Sequence, residues 1–374
     1  MKTAPITTVR ICALLLGALI ACCPPPTARA DAAGSIYKVG VAHRRFIPRG
    51  PYDWRRAKIH ALLTTVWYPA VATAREKPRW LGGTRDRFAG AGDAAPEAAL
   101  APAPTRFPLI VISHGTGGSA TAMAWLGTRL AAHGFIAAAV NHPGNNALEP
   151  YTPQGFTLWW LRAKDLSVVI DGMLRDHRFG PRIDARRIGA AGFSLGGYTM
   201  IEIAGGRTSP AIFAFCGRHP QSRSCTSPPE FPHLVSEALS LLKTSPRYRA
   251  EIRGASVSYR DPRVRAVFAI APALGAVFPP EGLARISIPV EIVAGSADRV
   301  EPVAPNARYF AAHIRGSRLI LFPGAGHYTF FATCTPRARR KQPQLCADGP
   351  GIDRHRMHER AADLAVKFFA VHLK

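Results

Sequence analysis

The stretch RIGAAGFSLGGYTM, residues 187–200, decides how the rest of the chain is read. Its first half is small and apolar, as in a strand buried on both faces, and its second half has helical character. Between them Gly192, Ser194 and Gly196 make a G-x-S-x-G turn. At a strand-to-helix junction this pattern puts a serine on a sharp, strained bend with Oγ at the top of the sheet, where a nucleophile is needed. The first glycine gives the turn clearance, and the later ones let the helix pack closely. Small residues also make ordinary tight turns in Ala/Gly-rich chains, so the nucleophile reading depends on partners elsewhere.

Apolar runs continue on both sides of this turn. ALLTTVWYPA (61–70), FPLIVISHG (107–115), GFIAAAVNHPG (134–144), RVRAVFAIAPA (263–273), IPVEIVAGSAD (288–298) and SRLILFPGAGH (317–327) read as strands. Helical spacing covers 120–133, 162–176, 304–314 and 360–373, and a helix is expected after Ser194. Residues 74–106, rich in Ala, Gly and Pro, read as a long surface loop. The segment 206–262, with its Pro-rich loops and the helix-like 234–243, reads as an insertion, either a lid or surface elaboration. Strands alternating with helices predict an α/β fold with a mostly parallel central sheet and helices on both faces. One domain over 31–374 is expected, with functional residues at the carboxyl ends of the strands.

A serine hydroxyl needs a base to take its proton and an acid to orient that base. In this topology the acid and base follow the serine in that order. Asp298 follows the strand containing VEIVAG, and His327 follows the next, in FPGAGHYTF. Glu301 is the alternative acid. His313 lies on an expected helix, and His355, His358 and His372 lie beyond the last strand. The backbone amides of Thr116, in SHGTGG (113–118), and of Leu195 are the candidate oxyanion donors, with His114 supporting the loop. That glycine-rich turn lacks the lysine of a phosphate loop and the spacing of a dinucleotide site. Trp125, Phe156, Trp159 and Trp160 fall where they could line a pocket or simply fill the core.

Residues 1–30 have the charge and the short apolar run of a leader peptide. Two processing sites compete: cleavage after Ala28-Arg29-Ala30, or lipid attachment at Cys22 in Leu19-Ile20-Ala21-Cys22. Either implies an exported protein, periplasmic or secreted, lipid-anchored in the second case. With Cys12, Cys22 and Cys23 removed along with the leader, four cysteines remain, and Cys216–Cys225 with Cys334–Cys346 is the simplest of three pairings. Each bridge would contribute roughly 2–3 kcal/mol by loop closure. Zinc ligand spacing is absent. The net charge of +24 comes mostly from arginine spread along the chain. No nucleic-acid-binding signature accompanies it, and attraction to anionic envelope surfaces is the expected consequence.

The ordered set VWYPA, SHGTGGS, VNHPG, GFSLGG, DPRVRAVFAIAPA, GSADRVEPV and GAGH resembles the α/β-hydrolase superfamily. Within it the chain is similar to the bacterial group related to platelet-activating-factor acetylhydrolases and labelled predicted dienelactone hydrolases. The resemblance runs from about residue 36 to the C-terminus. It implies a serine esterase in which Ser194 attacks a small-molecule or lipid ester, His327 relays the proton and Asp298 orients it. No metal or organic cofactor is implied. Dienelactone hydrolases use a cysteine nucleophile, and Ser194 here favours ordinary esters. Amide or peptide hydrolysis on the same residues, and a non-catalytic basic binding protein of the envelope, are the alternatives.

Overall fold

The computed structural model describes Met1 and residues 37–83, 85–219 and 225–374. The leader, Cys22 and both processing sites lie outside the described residues. Among the described residues, ten strands form one sheet: β1 Lys38–Phe46, β2 Leu62–Ala70, β3 Lys77–Gly82, β4 Arg87–Pro96, β5 Phe107–Ser113, β6 Ile136–Val140, β7 Ile183–Phe193, β8 Val264–Ile270, β9 Val290–Gly295 and β10 Arg318–Phe322. Their order across the sheet is β10-β9-β8-β7-β5-β6-β2-β1-β4-β3. Strands β5 to β10 pair in parallel, whereas β2 runs antiparallel to both β6 and β1.

The parallel strands are apolar on both faces because both are covered. One face packs beneath α1 (Ala124–Ala132) and the C-terminal helix Arg354–His372, around Trp67, Ile110, Ile112, Phe268 and Phe369. The other, which the chain reaches after the short α2 (Pro153–Thr157), carries α3 (Leu161–Arg175) and α4 (Leu195–Ile203), with a core including Leu109, Val111, Leu166, Ile170 and Met200. Between α4 and β8 lie α5 (Ala211–Arg218), α6 (Leu234–Thr244) and α7 (Pro246–Ile252). No helix among the described residues is long and apolar enough to cross a membrane.

The expected loop 74–106 is a correction: it contains β3 and β4. Strand β4 is mostly Ala, Gly and Asp, types with weak strand preference, and its pairing with β3 and β1 supplies what composition does not. Strand β3 is the outermost, almost wholly exposed, with two register irregularities against β4. Both expected disulfides are present, Cys216–Cys225 and Cys334–Cys346. The second sits beside β4, where Gly90 donates to the Thr333 carbonyl and Thr335 to that of Phe88.

Helix α4 buries Glu202 completely, with Tyr198 Oη donating to its Oε1 at 2.6 Å. Burial pushes the Glu202 carboxyl up to about 8, so the folded state holds it protonated. In the unfolded chain it ionises in the ordinary carboxylate range. From there up to about pH 8 only the folded state retains the proton, and stability falls as pH rises through that window. Glu202→Gln is expected to flatten this fall, by an amount on the order of a few kcal/mol at most. Urea midpoints at pH 5 and pH 8 check it, and an unchanged slope would show Glu202 to be ionised in the fold.

Candidate active site

Ser194 stands between β7 and α4 with φ 56° and ψ −117°. A positive φ at a non-glycine residue costs on the order of 1–3 kcal/mol and persists only where its surroundings impose it. They do so here: the Ser194 amide donates to the Ile270 carbonyl at 2.8 Å, and its carbonyl accepts from Tyr198 and Ala273. Gly192 and Gly196 meet across the turn, and a Cβ on Gly196 would collide with the Ser113 carbonyl. Only glycine lets the helix approach the sheet this closely.

His327 Nε2 lies 2.9 Å from Ser194 Oγ, and His327 Nδ1 lies 2.7 Å from Asp298 Oδ2. All three side chains are buried, Ser194 being the most open at 8%. The other oxygen of Asp298 accepts the Val300 and Glu301 amides at 2.9 and 2.7 Å, which fixes the carboxylate toward the imidazole. Glu301, the alternative acid, thus contributes its backbone to holding Asp298, while Asp298 itself touches His327. The Phe193 ring packs against the imidazole, with centroids 5.0 Å apart.

The turn after β5 abuts the serine: a Cβ built on Gly115 would lie 3.3 Å from Ser194 Cβ. No acceptor among the described residues takes the Thr116 or Leu195 amide. For Leu195 this follows from its place in the first turn of α4. The Thr116 amide follows Gly115 in this turn, and the Leu195 amide follows Ser194 directly.

The structure overlays on a ferulic acid esterase from Streptomyces cinnamoneus with a TM-score of 0.59, covering 92% of each chain at 22% identity. The chain has the α/β-hydrolase fold. The family described as platelet-activating factor acetylhydrolase, isoform II, matches residues 89–155. Cutinase est1 of Thermobifida alba is 36% identical over 100 residues, and lipase 1 of Moraxella sp. (strain TA144) 33% over 99. Each of these matches covers 26% of this chain, and respectively 30% and 28% of the relative.

The structure also brings to this site residues that carried no motif in the sequence. Asn145 Oδ1 accepts the Gly117 amide at 2.7 Å and Asn141 Oδ1 accepts that of Ala120 at 2.9 Å, so the segment after β6 shapes the turn after β5. The available signal was the run of polar residues ending an otherwise apolar strand. His114 holds its own turn, donating from Nδ1 to the Gly115 carbonyl at 2.6 Å. From the segment between α5 and α6, Glu230 reaches the same turn: a Cβ on Gly117 would lie 3.4 Å from Glu230 Cγ. Burial pushes the Glu230 carboxyl up, and His327 opposes that shift. Phe231, next to it, packs on Tyr151 and Phe156.

The four aromatic pocket candidates separate. Trp125 stacks on His358 of the C-terminal helix, with centroids 4.4 Å apart. Trp160 is core, packed with Tyr248 and Ile252, and Trp159 packs on Tyr198 and Phe213. Phe156 alone adjoins the residues that surround Gly117.

Proposed function

We propose that this protein is an exported serine hydrolase that cleaves carboxylic esters, small-molecule or lipid, through an acyl-enzyme. The observation that carries this reading is the continuous chain from Asp298 through His327 to the strained Ser194. His327 takes the hydroxyl proton as Ser194 Oγ attacks the ester carbonyl carbon, and the Thr116 and Leu195 amides hold the oxyanion. The tetrahedral intermediate collapses with His327 protonating the leaving alcohol. Water, deprotonated by His327, then attacks the acyl-enzyme, and the acid leaves with the serine reprotonated. Throughout, Asp298 keeps Nδ1 protonated, so that Nε2 is the atom that exchanges the proton. The cutinase, lipase and ferulic acid esterase names of its relatives support ester over amide chemistry.

Two disulfides support an oxidising destination. We read 31–374 as one catalytic domain whose insertion, 206–262, caps the site. Glu230 against the oxyanion turn and Phe231 on Tyr151 support that reading. The test is a fluorophosphonate adduct located by mass spectrometry, with turnover of p-nitrophenyl butyrate and of aminoacyl-p-nitroanilides. Labelling at Ser194 with ester turnover alone is expected. Anilide turnover would instead indicate a peptidase, and an unlabelled, folded protein a binding role.

A further inference from the structure

Beneath the oxyanion turn lies a second Ser–His–Asp chain. Ser113, the last residue of β5, has Oγ 2.8 Å from His142 Nε2, and His142 Nδ1 is 2.7 Å from Asp165 Oδ2. Arg55 Nη2 donates to both oxygens of Asp165, at 2.6 and 2.8 Å, and Tyr52 Oη donates to one of them. Ser113, His142 and Asp165 have no exposed surface, so no substrate reaches this serine. It is not a second active centre.

Burial fixes every proton in the chain. Both His142 and His114 are held neutral, their pKa values pushed well down by desolvation. The Asp165 carboxylate can only accept, so His142 carries its proton on Nδ1 and its Nε2 must accept from the Ser113 hydroxyl. The Ser113 oxygen is then left to accept from Arg162 Nη2 at 3.3 Å, and the same nitrogen donates to the His114 carbonyl. His114 Nε2 in turn accepts the His142 amide at 3.3 Å. The peptide entering the turn is therefore gripped at its carbonyl and through its side chain.

That peptide also sets the position of the nucleophile helix. Gly196 of α4 rests on the carbonyls of Ser113 and His114, so the spacing between the Thr116 and Leu195 amides depends on where β5 ends. The buried charges do not cancel by contact. Asp165 pairs with Arg55, while Nε and Nη1 of Arg162 find no acceptor among the described residues. Burying an unpaired guanidinium is costly, which makes its place directly under an anion-binding turn significant.

We propose that Ser113, His142, Asp165 and Arg162 are positioning residues for the oxyanion hole: they lock the 114–116 turn against α4 and hold a positive charge beneath it. The proposal rests on the esterase reading. Its effect falls on the tetrahedral state, where the oxyanion exists, and leaves ground-state binding alone.

Ser113→Ala removes one oxygen and leaves the strand intact, and His142→Gln removes the ring that links Ser113 to Asp165. With p-nitrophenyl butyrate each is expected to lower kcat about tenfold, less than the loss of an oxyanion donor outright, with KM unchanged. The inhibition constant of phenylboronic acid, which forms a tetrahedral adduct on Ser194, is expected to rise by the same factor. The double variant is expected to lose no more than the weaker single, because both break one chain. Lowered melting temperature with unchanged kcat, a KM that rises in step, or multiplying losses would each overturn the proposal. If His142→Gln does not fold, Ser113→Ala decides alone. A folded wild type inert to both the ester and fluorophosphonate would remove the esterase reading and this proposal with it, whereas an active wild type matched by Ser113→Ala removes only the latter.

Discussion

Ser194→Ala is expected to lower kcat toward p-nitrophenyl butyrate by about 10⁵-fold or more and to abolish fluorophosphonate labelling. The size follows from the cooperative nature of the machinery: without Oγ no acyl-enzyme forms, and His327 and Asp298 have nothing to act on. The residual rate reflects only what the oxyanion amides and the pocket do for direct attack by water. Folding is expected to survive, since Ser194 is held by its backbone bonds to Ile270, Tyr198 and Ala273, which alanine keeps. A variant with more than about a hundredth of wild-type kcat would move the nucleophile away from Ser194.

Asp298→Asn is expected to cost about 10⁴-fold in kcat with little change in KM. The amide presents its NH₂ toward Nδ1, which turns the imidazole to the tautomer with its proton on Nε2 and so removes the base facing Ser194 Oγ. Glu301→Gln is the control. Glu301 holds Asp298 through its backbone amide, which the substitution leaves in place, so a loss below about threefold is expected. Comparable losses in the two variants would give Glu301 a share in orienting His327.

The parallel strands and the order of the three site residues were legible because burial on two faces leaves uninterrupted apolar runs, and because each site residue sits just past such a run. FPLIVIS and VEIVAG needed no tertiary information to be read. Strand β4 did, because Ala and Gly at its positions carry no preference strong enough to survive without β1 and β3 beside them. The Ser113–His142–Asp165 chain was hidden for another reason. Its members are 29 and 23 residues apart and lie on different elements, and each alone reads as a strand end or a helix position. His142 could be suspected from the polar residues after β6, but nothing local in the sequence tied it to Asp165. Glu230 was equally invisible, since its place depends on how the insertion folds back over Gly117.

A sheet of ten strands leaves two lateral rows of unsatisfied backbone groups, each a template for pairing with a second copy. On one side the terminal strand is Lys77-Pro78-Arg79-Trp80-Leu81-Gly82. Proline lacks one of the amides needed to zip onto a neighbour, the two cations repel their own images, and the irregular register against β4 prevents a flat rim. On the other side β10 is only five residues long. The sheet thus ends on both sides in edges poorly suited to fibril growth.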